Sequence, residues 1–279
     1  MSGARREGGV SAPSLLDAAA EVARLAGDLA LRYYRSSVTV ETKRDGSPVT
    51  IADRSAERAA REWIAARFPR DGIVGEEYGA ERVEAERRWI LDPIDGTKSF
   101  VRGVPLWGTL VAVAAGESVL AGAAYFPAVG ELLAAAPGEG CWWNGARCHV
   151  SPLADLSAAT LLTTDDRFPT NTGRKARFDA LARRVAVSRG WGDCYGYLLV
   201  ATGRAEVMVD DAMNEWDAAA LLPIIAEAGG VFTDWRGRVT AFGGSAIATN
   251  GALAEEVRGM LAPAAGQGRG ALAVETRDE

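Results

Sequence analysis

Histidine occurs once in 279 residues and cysteine three times, and these scarcities exclude more chemistry than the abundant residues suggest. His149 alone cannot build an H-E-x-x-H zinc site, and Cys141, Cys148, Cys194 and His149 lack the paired spacing of a zinc finger. A sparse, odd number of cysteines forms no disulfide framework and suits a reducing cytosol. There is no excess of base: 31 basic residues face 37 acidic ones, a formal net charge of −6, so no broad nucleic-acid-binding face is expected. No uninterrupted apolar run approaches the ~20 residues of a membrane span. The segment after Arg5 and Arg6, Leu15 to Leu25, is broken by Asp17, Glu21 and Arg24, unlike the apolar core of a signal peptide. A cytoplasmic protein with neither nucleic acid nor membrane as partner is the expectation.

What is present is a globular composition, 48% hydrophobic and 24% charged with 32 glycines, in a chain long enough for one large domain or two packed halves. Met1–Pro13 and the tail Pro263–Glu279 are polar and aperiodic and are expected to fray. Ser14 with Asp17 opens a helix through Leu15, Ala18, Val22, Leu25, Ala26 and Leu29, and Thr50 with Asp53 opens another through Ile51, Ala59, Trp63 and Ile64. Alternation from Val38 to Thr42 predicts a strand between them. Short apolar strands follow at Ile73–Val74, Trp89–Leu91, Trp107–Ala114, Val119–Phe126 and Glu131–Ala135, as expected of a meandering sheet. Cys141-Trp142-Trp143-Asn144-Gly145 looks like a strand entering a hairpin turn. After about Leu153 strands and helices alternate: a strand near Leu161, helices at Phe178–Val185 and Tyr195–Thr202, a strand at Val207–Val209, one long helix from Trp216 to Ala228, a last strand at Ala246–Ala248 and a helix at Leu253–Leu261. An α+β half over residues 14–150 and an α/β half over 151–262, sharing one rigid body, are predicted.

Chemistry concentrates in acids. In Trp89-Ile-Leu-Asp92-Pro-Ile-Asp95-Gly-Thr97-Lys98 an apolar strand delivers Asp92, Pro93 stops the ladder, and Asp95 returns to the same side of a tight turn. The N–H groups after Gly96 can face an anion. Paired carboxylates beside a phosphate repel it unless hard cations intervene, and Mg²⁺ binds both. Gly75-Glu76-Glu77 and Trp216-Asp217 add acids in a glycine-flanked turn and a helix first turn. Each alone has an ordinary explanation: Glu77 solvated, Asp217 a cap, Asp95 a turn residue. Jointly they lie beside apolar segments that should pack centrally, where unpaired acids are costly.

These segments, G-E-E at Gly75–Glu77, D-P-I-D-G-T at Asp92–Thr97, and W-D-x-A-A followed by E-A-G-G within Trp216–Gly230, resemble the inositol monophosphatase superfamily over about Leu15–Leu261. The resemblance implies a layered αβαβα sandwich, α/β in class, with the metals between its halves. It implies a Mg²⁺-dependent, lithium-sensitive phosphatase holding roughly two or three Mg²⁺ ions per site. By position the metal ligands are Glu76, Asp92, the Ile94 carbonyl, Asp95 and Asp217, with Glu76 rather than Glu77 chosen only by the match. Thr97 with Asp53 or Glu76 would orient and deprotonate water, and phosphate would lie against the Gly96 and Thr97 N–H groups.

Lys98-Ser-Phe-Val-Arg-Gly-Val-Pro-Leu-Trp107 and Arg189-Gly-Trp191-Gly-Asp193-Cys-Tyr195-Gly-Tyr197 look like the histidinol-phosphate phosphatase branch, which implies an amino-alcohol phosphate as substrate. A cationic substrate calls for carboxylates and aromatic faces, and Lys98, Trp107, Arg189, Trp191, Asp193 and Asp210 are the candidates, with Asp211 competing with Asp210. Trp107 and Trp191 equally suit a core, and Cys194 reads as packing. Inositol phosphate or another small sugar phosphate is the alternative substrate. A non-catalytic, metal-stabilised partner protein is a second class, marked by loss of Thr97 or a metal acid, and neither is lost. A homodimer is compatible with all of this.

Overall fold

A computed structural model of the chain describes residues 14–44, 46–169 and 171–262, so both ends expected to fray lie outside the described residues. Helix α1 (Leu15–Leu31) starts where the Ser14 hydroxyl accepts the Asp17 N–H at 3.1 Å. Its buried stripe is small, with Ala18, Ala19, Val22, Ala23, Ala26 and Ala30, which lets the helix lie close to a sheet. Leu25, expected on that face, sits at its rim and is exposed. Strands β1 (Val40–Thr42) and β2 (Pro48–Thr50) form an antiparallel ladder leading into α2 (Ile51–Arg67), where Thr50 and Asp53 close a capping box. Ile51 faces solvent, because the buried stripe of α2 runs through Ala52, Asp53, Ala56, Glu57, Ala60 and Ile64.

Then come β3 (Gly72–Gly75), β4 (Gly79–Glu81), β5 (Arg88–Asp95), the short helix α3 (Thr97–Phe100), β6 (Gly108–Ala115), β7 (Ser118–Phe126), β8 (Glu131–Ala136), β9 (Gly140–Trp143) and β10 (Ala146–Arg147). Their sheet has the order β10-β9-β8-β7-β6-β5-β3-β4, the predicted meander, antiparallel except for the β3–β5 pair. Asn144 and Gly145 both take positive φ, as a two-residue hairpin turn requires. The remaining elements are β11 (Thr160–Leu162), α4 (Thr172–Ala182), β12 (Val187–Arg189), α5 (Asp193–Ala201), β13 (Val207–Asp210), α6 (Glu215–Ala218), α7 (Leu221–Glu227), β14 (Gly230–Thr233), β15 (Ala246–Asn250) and α8 (Ala254–Leu261). The second sheet runs β12-β11-β13-β15-β14.

Strand periodicity separates the core into layers. On β6, Val111 and Val113 face α1 and α2, while Leu110, Ala112 and Ala114 face a middle layer shared with α5 and α7. On β13, Met208 faces that same middle layer, and Val207 and Val209 face the outer layer of α4 and α8. Both sheets are thus covered on both faces, and the architecture is the expected αβαβα sandwich.

Several details differ from the sequence reading. The helix expected from Trp216 to Ala228 is interrupted between α6 and α7, where Pro223 has no N–H to give the preceding turn. Pro93 does not end its strand: β5 continues to Asp95 through a register shift after Asp92, and the Pro93 carbonyl accepts the Thr109 hydroxyl at 2.8 Å. Helix α4 begins at Thr172 rather than Phe178, because Asn171 caps it. Strand β14 lies where Gly229-Gly230 signalled only a helix end; glycine marks the stop but is silent about what resumes.

Candidate active site

The β5–α3 turn places the first acids. Asp92, 2% exposed, accepts the Ile94 N–H at 2.9 Å, which folds the chain so that Asp95 comes back beside it. Gly96 follows at φ +88°, and a Cβ there would stand 2.8 Å from the Leu106 carbonyl and 3.1 Å from Asp193 Oδ2, so only glycine fits the turn. Asp217 comes from α6: one oxygen accepts the Asn214 N–H at 2.7 Å, closing the helix cap, and the carboxylate also meets Asp92. Carboxylate oxygens of Asp92, Asp95 and Asp217 lie within 4.8 Å of one another. The cap explanation of Asp217 and its place in the acid cluster are both true.

Crowding has the expected electrostatic signature. Burial, reinforced by the neighbouring acids, pushes Asp92 and Asp95 well above the usual carboxylate range, and burial raises Asp217 to about 6. Glu76, on the β3–β4 turn, is not one of the three clustered acids; burial is the main cause of the rise at Asp92, Asp217 and Asp53, and the Glu76 charge adds to each. Like-charged hard oxygen donors at this separation fit a hard divalent cation, which removes the repulsion that burial otherwise enforces.

Lys43, from the β1–β2 loop, gives the Glu76–Glu77 turn its cation: its Nζ donates to Glu76 at 2.7 Å and Glu77 at 2.6 Å. Burial pulls its pKa down, but both carboxylates together outweigh burial and raise it. Glu77 is not solvated; burial raises it to about 7. No sequence motif marked Lys43, since an isolated lysine in a loop is ordinary until folding sets it against two acids.

Thr97, first residue of α3, donates to the Ile94 carbonyl at 2.9 Å and stands 3.4 Å from Asp53 Oδ1. Asp53 is buried; its other oxygen accepts from the Thr50 N–H and hydroxyl, and burial raises its pKa. On the far side of the turn, the Cys194 N–H donates to Asp95 at 2.5 Å. Cys194 therefore packs, as expected, but its backbone also orients an acid. Asp193 holds a positive φ of 51°, uncommon outside glycine, with its N–H on the Thr164 hydroxyl at 2.8 Å. Its side chain hangs over Gly96, burial raises it to about 7, and the Lys98 charge opposes that rise.

The other specificity candidates divide. Trp191 is 43% exposed and Lys98 is exposed, so both are open to a ligand, and Arg189 lines a cavity of about 340 Å³ with Thr163, Thr164, Asp165, Asp166 and Gly190. Trp107 is fully buried, its ring 4.8 Å from Phe100 and 5.6 Å from Tyr34, so it is core and not cleft wall. Asp210 is 5% exposed with its oxygens on the Thr164 N–H and the Tyr197 hydroxyl, which places it behind the wall as a brace. Asp211, its competitor, pairs with Arg174 at 3.1 Å.

A layered α/β sandwich carrying an acid cluster where the β5–α3 turn meets α6 is the architecture of a metal-dependent phosphomonoester hydrolase. The model of the inositol monophosphatase family matches residues 12–269, and the chain belongs to that family. It is 46% identical to a histidinol-phosphatase of Chlorobaculum parvum, covering 83% of this chain and 90% of that one. Identity to a histidinol-phosphatase of Mycobacterium tuberculosis is 38%, covering 88% and 94%. A solved inositol monophosphatase from Zymomonas mobilis superposes with a TM-score of 0.79 at 32% identity, covering 88% of this chain and 96% of that one.

Proposed function

We propose that this protein hydrolyses histidinol phosphate to histidinol and inorganic phosphate with Mg²⁺ held by Glu76, Asp92, the Ile94 carbonyl, Asp95 and Asp217. The observation that carries the reaction class is the convergence of Asp92, Asp95 and Asp217 within 4.8 Å beside the Thr97–Asp53 pair. When bound, the cation supplies charge neutralisation of the phosphoryl group and a water acidic enough to ionise near neutral pH. Thr97 has one hydroxyl hydrogen and two acceptors in reach. Turning from Ile94 to Asp53 aligns its lone pair to take a proton from the attacking water, which Asp53, raised in pKa by burial, then holds.

The similarity to histidinol-phosphatases over most of the chain supports the choice of alcohol. So does the half-buried Asp193 at the cleft, with exposed Trp191 nearby: an acid and an aromatic face suit an ammonium or imidazolium. Lithium is expected to inhibit by competing for the acids, and no helix among the described residues is long and apolar enough to cross a membrane. Phosphate release from purified protein with Mg²⁺, measured against histidinol phosphate, inositol monophosphate and fructose bisphosphate, tests the reading. A preference for either sugar phosphate would overturn the substrate, and no release from any would overturn the reaction.

A further inference from the structure

Glu57 sits on α2 one turn beyond Asp53, fully buried. Its carboxylate does not serve its own helix alone. Oε2 accepts the Glu77 N–H at 2.8 Å and Oε1 the Tyr78 N–H at 3.2 Å, so the β3–β4 turn is wrapped around this one side chain. Arg61, the next turn along, donates its Nε to Glu57 at 2.8 Å, another nitrogen to Glu81 at 2.8 Å, and a third to the Gly79 carbonyl. The turn has a second anchor: the Glu76 N–H donates to the Leu91 carbonyl of β5 at 3.2 Å. Glu76 is therefore held on both sides, by β5 through its own amide and by Glu57 through the amide that follows. At Gly75 the fit leaves no space, since a Cβ there would stand 2.1 Å from Glu57 Oε1.

We propose that Glu57 is a positioning residue for Glu76, aiming that carboxylate into the acid cluster, and that one face of α2 thereby aligns both the Asp53–Thr97 pair and the β3–β4 turn. The inference rests on Glu76 being a metal ligand. Physically, a buried carboxylate satisfied by two turn amides and a guanidinium has one low-energy arrangement, so the turn cannot rotate without stranding a charge. A glutamine in its place keeps the volume but sets an NH₂ donor against an N–H donor, and the turn loosens.

The test is Mg²⁺ binding to the full-length protein by titration calorimetry without substrate, in the wild type, Glu57→Gln, Glu76→Gln and the double variant, with thermal melts alongside. Glu57→Gln is expected to raise the Mg²⁺ Kd by about tenfold or more, as loss of a ligand-orienting partner does. In the Glu76→Gln background the same change is expected to add less than about twofold, because its effect passes through the missing carboxylate. Equal losses in both backgrounds, or an unchanged Kd in the single variant, would overturn the proposal and leave Glu57 as fold support. Gly75→Ala probes the same contact from the turn without removing the buried charge; it is expected to raise the Kd likewise, and an unchanged Kd in that folded variant would also overturn the proposal. If Glu76→Gln alone leaves Kd unchanged, the assignment of Glu76 as a ligand fails first and the positioning role falls with it.

Discussion

The Thr97 hydroxyl stands 3.4 Å from Asp53 Oδ1 across 44 residues of chain, a contact made because α2 and the β5–α3 turn pack side by side. Thr97→Ala removes the hydroxyl and leaves every acid in place. The expected loss in kcat is on the order of 10² or more, with Mg²⁺ affinity unchanged by calorimetry. Weakened metal binding with an unaltered kcat at saturating Mg²⁺ would contradict the proton-moving role.

Asp95→Asn and Asp217→Asn are each expected to abolish measurable turnover by weakening the cation site. Folding should not suffer, because each variant also removes a raised, mutually repelling carboxylate. Without metal, thermal melts at pH 7 should show both variants at least as stable as the wild type, and marked destabilisation would count against the electrostatic account.

Stability of the metal-free protein should fall as pH rises. Burial raises Asp217 to about 6 and both Glu77 and Asp193 to about 7, from ordinary values near about 4. Between about pH 4 and 7 the folded state therefore holds protons that the unfolded chain has released, and the linkage slope is negative over that window. Mg²⁺ should flatten or reverse it by binding the ionised acids. Melts with chelator and with excess Mg²⁺ across that range make the comparison; a chelated protein that gains stability toward pH 7 would refute it.

Asp193→Asn is expected to raise KM for histidinol phosphate by roughly tenfold, the worth of one charged hydrogen bond, with little change for any inositol phosphate activity. The paired kcat/KM values decide it. Equal losses on both substrates would make Asp193 a structural residue at its strained φ.

The two tryptophans should separate cleanly. Trp107→Ala empties a fully buried site and is expected to cost about 3–5 kcal/mol in denaturant unfolding. Trp191→Ala, at a partly exposed position, should change stability by about 0.5 kcal/mol or less while altering KM. Comparable destabilisation by both would show that Trp191 is core after all.

Local rules carried much of the architecture because the decisive signals are short-range. Ser14 and Thr50 cap their helices, Asn144-Gly145 turns its hairpin, and the apolar runs over β5 to β8 report strands buried on both faces. The acids of Asp92–Thr97 were legible for the same reason: strand, proline, glycine and carboxylates lie within a few residues and dictate their own turn. Motif resemblance then named Glu76 over Glu77, which composition could not.

Only the tertiary structure decided which partners distant side chains find. Trp107 and Trp191 look alike in sequence, yet one is enclosed by Tyr34 and Phe100 and the other stays open. By sequence Asp210 is a candidate to meet a substrate, yet Thr164 and Tyr197 take its oxygens, and Lys43 and Glu57 carry no local signal. A residue's exposure and hydrogen-bond partners depend on chain segments tens of residues away, set by how two sheets and their helices stack. Periodicity along one segment determines which face turns inward; what waits on the other side is settled only when the layers close.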